Sequence, residues 1–220
     1  MRTLKLLSAL LCYPSEDLIA AMPEIRALIP ASHHAALLPL IDGLADGDLL
    51  DLQSDYVEAF DLGRRLSLHL FEHVHGESRD RGQAMVDLAQ LYEKAGLYLA
   101  PDELPDYLPS FLEYLSVLPE SEATANLAET APILLALHEA AAARGTPYAA
   151  LFSVLVSLAG AAPSVVEAAV PELPDLEQLD AEWEEAEVRF GPGESDGGCS
   201  TDRLRTRLRA ANRDVHKAVF

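Results

Sequence analysis

The sequence of 220 residues is poor in cysteine, in aromatic residues and in long apolar runs. Its two cysteines, Cys12 and Cys199, are spaced neither as a disulfide scaffold nor as a zinc motif, so a reducing, cytoplasmic setting is their simplest account. No apolar run reaches the roughly 18 residues of a membrane-spanning helix, and we expect none. With only 6% aromatic residues and abundant Ala and Leu, the composition is typical of packed helices.

Motifs of the common enzyme classes are missing as well. The sequence has no G-x-x-x-x-G-K-[ST], no G-x-G-x-x-G after a strand pattern, no G-x-S-x-G and no H-E-x-x-H. Carboxylate pairs are frequent, but among 36 acidic residues such pairs carry little information. We therefore predict that the protein is not an enzyme, has no catalytic residue and needs no cofactor of its own.

Basic residues are few, with 16 Lys and Arg against 36 acids, and the formal net charge is −20. Nucleic acid and stable membrane association are therefore disfavoured, whereas a basic partner is favoured through an attraction that salt weakens. The charge is unevenly placed. Residues 171–189 hold eight acids and one arginine, whereas residues 201–220 hold six cations and two acids.

The first residues allow two interpretations, because Arg2 and Lys5 precede a short apolar run. A lipoprotein leader would need a small residue before Cys12, where the sequence has Leu11, and no A-x-A cleavage site follows. Apolar residues at positions 4, 7 and 11 instead match the stripe of an amphipathic helix. We predict a structural first helix that ends at Tyr13 and Pro14.

Helical periodicity continues along the chain, and we find no alternating strand pattern. In the first half of the chain we predict helices over 16–28 (capped by Ser15, kinked at Pro23), 31–44 (interrupted by Pro39 and Gly43) and 48–62. A further helix would run through Leu66, Leu70 and Phe71 and end near Gly76, and the next would extend from Ser78 to Gly96. The remaining predicted helices are one beginning at Pro105, 121–143 and 147–161. This pattern predicts an all-α, single-domain helical bundle over residues 1–165. An acidic helix over 166–190 would pack on or beside it, and 191–220 would form a flexible Gly-rich linker and a basic tail.

Residues 67–85 combine three histidines, a glutamate and an Arg-Asp-Arg triplet around a single glycine. His69, Glu72 and His73 could bind a metal ion, since two histidines four residues apart on a helix are a common ligand pair. However, His75 would lie about 200° around the helix from His73, and no nearby cysteine completes a ligand set. We expect polar residues lining a partner-binding surface and no metal site. A helical metal-binding protein using His69, Glu72 and His73 is the alternative.

Two further groups of polar residues stand out. Arg64, Arg65, Arg79 and Arg81 could make surface ion pairs with Asp61, Glu77, Asp80 and Asp87, or they could order the loop between two helices and present Asp80 or Glu72 to a ligand. In residues 103–113, Pro105 followed by Asp106 and Tyr107 suits the start of a helix. Acids at 103, 106 and 113 beside Tyr107 would form an acidic, partly apolar wall.

Several segments resemble the NarJ-type assembly chaperones of respiratory nitrate reductase, within the wider TorD-like family of molybdoenzyme maturation proteins. The resemblance covers most of the chain to about residue 165 and is most specific in residues 67–85. The matching segments are 7–14, 56–61, 67–85, Tyr92 with 96–97, and 103–115.

The resemblance implies a cytoplasmic, non-catalytic chaperone with the TorD-like helical fold. Its partner would be the apo catalytic (alpha) subunit of nitrate reductase, bound through a basic N-terminal peptide, and molybdenum cofactor biosynthesis proteins could also be partners. The chaperone would keep this subunit competent for insertion of the molybdenum-bis(guanine dinucleotide) cofactor and delay its membrane attachment. By position in the motifs, the implied client-binding residues are His69, Glu72, His73, His75, Arg79, Asp80, Arg81, Gln83, Glu103, Asp106 and Tyr107.

Overall fold

A computed structural model describes residues 2–75, 80–100 and 103–162. Within those ranges the secondary structure is helical and contains no strand, so the all-α prediction is confirmed. The helices are α1 Arg2–Leu10, α2 Glu16–Leu28, α3 Ala31–Asp46, α4 Leu49–Phe60, a 3-10 turn Arg64–Leu66, α5 Glu72–His75, α6 Asp80–Lys94, α7 Leu108–Val117, α8 Glu120–Glu129, α9 Ala131–Ala143 and α10 Tyr148–Leu158. The acidic helix and the linker with its basic tail, predicted over residues 166–220, lie outside the described residues.

Local signals placed several helix ends correctly. The side chain of Ser15 caps α2, accepting a hydrogen bond from the amide of Leu18 at 3.2 Å. Gly96 follows α6 with a φ of +80°, a conformation that costs little only for glycine, and it ends that helix as predicted.

Helix interruptions were predicted incorrectly in two places. Helix α3 continues through Pro39 and Gly43, because burial of its apolar face (Leu37, Leu40, Ile41 and Leu44) outweighs the roughly 3 kcal/mol that an internal proline costs. Conversely, the helix predicted over 121–143 is divided at Thr130, whose hydroxyl donates to the carbonyl of Leu127 at 2.7 Å. Pro132 in the first turn of α9 favours this new helix start.

The core contains apolar residues whose helical spacing in the sequence had predicted a buried side of a helix. Leu4, Leu7 and Leu11 are fully buried, and α1 packs against α7. Each such leucine stabilises the fold by about 1.5–3 kcal/mol. Helix α10 packs against α9 and α3, and α3 packs against α2, so that one continuous core joins the elements. Among the described residues, none of the helices has the length and apolar character to cross a membrane.

Candidate functional site

The segment that follows the 3-10 turn is extended, and the helix predicted through Leu66, Leu70 and Phe71 is wrong. His69 forms an isolated antiparallel bridge with Tyr107. The amide of Leu70 donates to the carbonyl of Asp106 at 2.9 Å, and the amide of Leu108 donates to the carbonyl of Leu68 at 2.8 Å. At Leu68 and Leu70 the main chain thus pairs with residues 106–108, and between the 3-10 turn and residue 76 only the short α5 is helical.

A sequence signal for this extended conformation was present. Leu66, Leu68 and Leu70 are all buried, and they alternate with residues 67 and 69. Apolar side chains two residues apart are typical of extended chain. Helical spacing of Leu66 and Leu70 masked this pattern, because a four-residue interval is also a multiple of two.

Asp106 is the centre of the site. Its side chain has no exposed surface. One carboxylate oxygen lies 3.1 Å from Nδ1 of His69, and the other accepts a hydrogen bond from the amide of Phe71 at 3.2 Å and lies 3.7 Å from a guanidinium nitrogen of Arg81. A buried carboxylate is stable only with partners of this kind. We call Asp106, His69, Arg81 and the amide of Phe71 the Asp106 joint.

The position of Asp106 corrects a second prediction. Helix α7 begins at Leu108, so Asp106 precedes the helix and its carboxylate does not occupy the first turn. Its side chain instead holds the extended segment against residues 105–108. Asp106 therefore serves the fold from the interior of the protein.

Arg81 connects this joint to a more exposed acid. Its guanidinium lies 3.6 Å from a carboxylate oxygen of Glu72, and both side chains keep about a third or less of their surface exposed, at 27% and 33%. Arg81 thus joins the start of α6, the start of α5 and the segment before α7. Arg81 therefore connects elements of the fold and is described better by that role than by a surface ion pair.

The Asp106 joint raises the pKa of His69. The hydrogen bond to Asp106 raises the pKa of the imidazole, the negative charges of Asp106 and Glu72 act in the same direction, and burial and Arg81 oppose them. The protonated ring is therefore favoured, with Nδ1 donating to the carboxylate.

The contacts of the histidine ring nitrogens test the alternative of a metal site formed by His69, Glu72 and His73. Nε2 of His73 lies 2.8 Å from the carbonyl oxygen of Ser67, and Nδ1 of His69 faces Asp106. His69 lies in the extended segment and His73 in α5, so the two do not share a helix. In the part of the chain that the structure describes, no three His, Cys, Asp or Glu side chains are grouped to hold a metal ion.

Tyr107 extends the site towards α4. Its hydroxyl lies 2.9 Å from that of Tyr56, which in turn donates to the carbonyl of Leu11 at 2.8 Å. Burial is the main cause that raises the pKa of Tyr107, to about 12. Tyr56 lies in the predicted helix 48–62, but sequence reasoning missed its polar contact with Tyr107.

The remaining predicted residues lie farther from the joint. The hydroxyl of Ser110 donates to a carboxylate oxygen of the half-buried Glu103, and the exposed Gln83 donates to Asp87 at 2.8 Å on the same helix. The structure therefore brings together His69, Glu72, Arg81, Asp106 and Tyr107. Arg79 and the side chains of His75 and Asp80 lie outside the described residues.

A second surface was missed by sequence reasoning. An open groove on the outer side of α4 is lined by Tyr13, Leu50, Gln53, Ser54, Val57, Glu58 and Leu62. Three of these are exposed apolar side chains: Leu50 at 74%, Leu62 at 58% and Tyr13 at 48%. Leu50 lies off the helical stripe of Leu49, Leu52, Tyr56 and Phe60, but this pattern does not show whether another element covers Leu50. We call this surface the α4 groove.

Comparison with known proteins agrees with the resemblance. Residues 26–153 match the family described as nitrate reductase delta subunit. The chain is 45% identical over 215 residues to the nitrate reductase molybdenum cofactor assembly chaperone NarJ of Escherichia coli strain K12, covering 93% of this chain and 90% of NarJ. It is 44% identical over 220 residues to the "Probable nitrate reductase molybdenum cofactor assembly chaperone NarW" of the same strain, covering 98% of this chain and 94% of NarW.

A more distant relative covers less of the chain. The protein of Bacillus subtilis strain 168 named "Probable nitrate reductase molybdenum cofactor assembly chaperone NarJ" is 34% identical over 116 residues, which are 51% of this chain and 63% of that protein. The family match covers more than half of the chain, and the Escherichia coli relatives match nearly all of it. The chain therefore belongs to the nitrate reductase delta subunit family, as a NarJ-type molybdenum cofactor assembly chaperone.

Proposed function

We propose that this protein is a cytoplasmic, non-catalytic chaperone that binds the basic N-terminal segment of the apo catalytic (alpha) subunit of respiratory nitrate reductase. It keeps that subunit competent for molybdenum cofactor insertion and delays membrane attachment until insertion is complete. The observation that carries the proposal is the match to NarJ at 45% identity over 90% of its length. Molybdenum cofactor biosynthesis proteins are further partners in this proposal.

The charge of the chain supports a basic client. A net charge of −20 creates a field that attracts a cationic segment and increases its rate of association. An amphipathic client helix would place its apolar side on an apolar surface and its cations beside carboxylates. Both kinds of surface are present near the Asp106 joint, where Tyr107 is half-buried and Glu72 is partly exposed.

Within this proposal, the predicted site residues have two different roles. Glu72 and Glu103 are accessible enough to contact client cations, and the rings of His69 and Tyr107, with centroids 5.6 Å apart, offer an apolar contact. Asp106 and Arg81 act as positioning residues, because Asp106 is fully buried and hydrogen-bonded within the chain. The further client-binding residues of the proposal are His73, His75, Arg79, Asp80 and Gln83.

Calorimetry with a peptide that copies the N-terminus of the client tests the binding site. The charge reversals Glu72→Lys and Glu103→Lys in combination should weaken binding about tenfold at low salt, and less at high salt. Glu24→Lys and Glu93→Lys, which reverse exposed acids on α2 and α6, are the matched control and should have a smaller effect. Equal losses in the two double variants would remove the site from the proposal.

The maturation role is tested in a nitrate-respiring strain that lacks the gene. We expect the catalytic subunit to accumulate without molybdenum cofactor, as measured by elemental analysis of the purified subunit. Part of this apo-subunit should attach to the membrane early, because nothing delays it. Fully active, cofactor-loaded reductase in the deleted strain would refute the proposed function.

A further inference from the structure

The α4 groove is an apolar surface with no partner among the described residues. Leu50 and Val57 lie seven residues apart on α4 and therefore share one side of the helix, and Leu62 and Tyr13 extend this apolar strip. Exposed fractions of 74% for Leu50 and 58% for Leu62 are high for leucine side chains grouped on one surface. Such a grouping is typical of a site that another polypeptide covers.

A strip of carboxylates runs beside this apolar strip. Asp51, Asp55 and Glu58 are exposed and follow one another at intervals of four and three residues, which places them on one side of α4 about 100° from Leu50. Residues 48–62 contain no Lys or Arg. None of the three carboxylates makes an ion pair with a basic side chain of the described residues. The occupant of the groove should therefore be both apolar and basic.

Residues 201–220 have the complementary pattern in sequence. Five of their eight apolar residues, Leu204, Leu208, Ala211, Val215 and Val219, recur at helical intervals of three and four. Of their six cations, Arg205 and Arg207 lie beside this stripe on a helical wheel, and Arg203, Arg209, Arg213 and Lys217 lie farther round the helix. If helical, this segment would have an apolar stripe flanked by arginines, which is the counterpart of an apolar strip flanked by carboxylates.

We propose that residues 201–220 dock as an amphipathic helix in the α4 groove of the same chain. The length of the intervening chain allows it, because residues 163–200 could span about 125 Å when extended, whereas a domain of this size is about 40 Å across. Tethering also raises the effective concentration of the segment to the millimolar range, so that modest contacts are sufficient.

Zero-length cross-linking tests the contact in the full-length protein. Carbodiimide joins an amine to a carboxylate only when the two are in direct contact, and the chain has just three lysines: Lys5, Lys94 and Lys217. On a helical wheel Lys217 lies about 160° from the centre of the apolar stripe, whereas Arg205 and Arg207 flank the stripe at about 80°. At low protein concentration and low salt, we therefore expect an amine added by Arg205→Lys or Arg207→Lys to couple within monomers to Asp51, Asp55 or Glu58, as identified by peptide mass spectrometry. Lys217, on the opposite side of the helix, should couple to these carboxylates far less.

Substitutions distinguish docking in the α4 groove from nonspecific attraction between opposite charges. The triple reversal Asp51→Lys, Asp55→Lys and Glu58→Lys removes the coupling carboxylates themselves and serves only to verify the assignment of the cross-linked peptides. Leu50→Ser should reduce the yield of coupling to α4 severalfold while all carboxylates and charges remain. The matched control E24K/E93K/E122K changes the net charge equally at exposed positions on α2, α6 and α8 and should leave the yield unchanged.

Three results would overturn the proposal. Coupling of the amines added at positions 205 and 207 to acids of residues 171–189 alone would show that the basic segment contacts the acidic segment instead. Coupling found only in dimers would assign the groove to a second copy of the chain. An equal loss of coupling in the control and groove variants would reduce the contact to unspecific charge attraction.

Discussion

The Asp106 joint and the α4 groove both depend on carboxylates, but they use them in opposite ways. Asp106 is buried, and the chain itself supplies its partners, namely His69, the amide of Phe71 and the nearby Arg81. The carboxylates beside the groove are exposed and have no cationic partner in the described part of the chain.

The difference shows what burial does to an acidic residue. A buried carboxylate loses its hydration, so it requires compensating hydrogen bonds and contributes to one defined arrangement of the chain. An exposed carboxylate stays hydrated and adds little to stability, but it can attract and orient a cationic partner. The negative net charge therefore favours a basic partner, whereas the burial of each acidic side chain determines whether that side chain can contact the partner.

Asp106→Ala is expected to have the largest effect. The substitution removes the carboxylate that accepts from the amide of Phe71 and faces Nδ1 of His69, so we expect a loss of about 3 kcal/mol in the free energy of unfolding, measured by urea denaturation. Asp55→Ala, at an exposed position beside the groove, should change it by less than about 0.5 kcal/mol. Similar losses in the two variants would remove the distinction between the two regions.

The tyrosine contacts beside the joint should give an intermediate effect. Tyr107→Phe removes one hydroxyl but leaves Tyr56 donating to the carbonyl of Leu11, so we expect a loss of about 1 kcal/mol. Tyr56→Phe also removes the donor to that carbonyl and should cost more. A double-mutant cycle measured by urea denaturation isolates the Tyr56–Tyr107 contact, and a coupling energy near zero would contradict its contribution.

A pH titration of stability tests the electrostatics of the joint. Asp106 raises the pKa of His69 in the folded protein, so its contribution is fully present below the unfolded pKa, about 6.5, and is lost as pH rises through the higher folded pKa. Relative to His69→Gln, the unmodified protein should therefore lose stability between slightly acidic and mildly alkaline pH. Parallel profiles of the urea midpoint for the two proteins would contradict this.

The sequence was sufficient for most helices but not for either region. Caps and periodicity gave α2 its observed bounds, because the Ser15 cap and the apolar stripe are local features. The joint depends on hydrogen bonds between residues 68–71 and 106–108, and contacts so far apart along the chain leave no local pattern except the alternation of Leu66, Leu68 and Leu70. The exposure of Leu50 likewise depends on which neighbours pack against α4, which the pattern of that helix alone does not specify.

The smallest expected change in stability is that of variants in the α4 groove, and it tests whether the groove residues contribute to the stability of the fold. The reversal Asp51→Lys, Asp55→Lys and Glu58→Lys replaces one set of like charges on α4 by another, and Leu50 is exposed at 74%, so neither this variant nor Leu50→Ser should change the unfolding free energy by more than about 0.5 kcal/mol. Residues that contribute little to the unfolding free energy are free to be selected for contact with another segment. A loss of about 2 kcal/mol or more on Leu50→Ser would instead mean that this leucine serves the folded core.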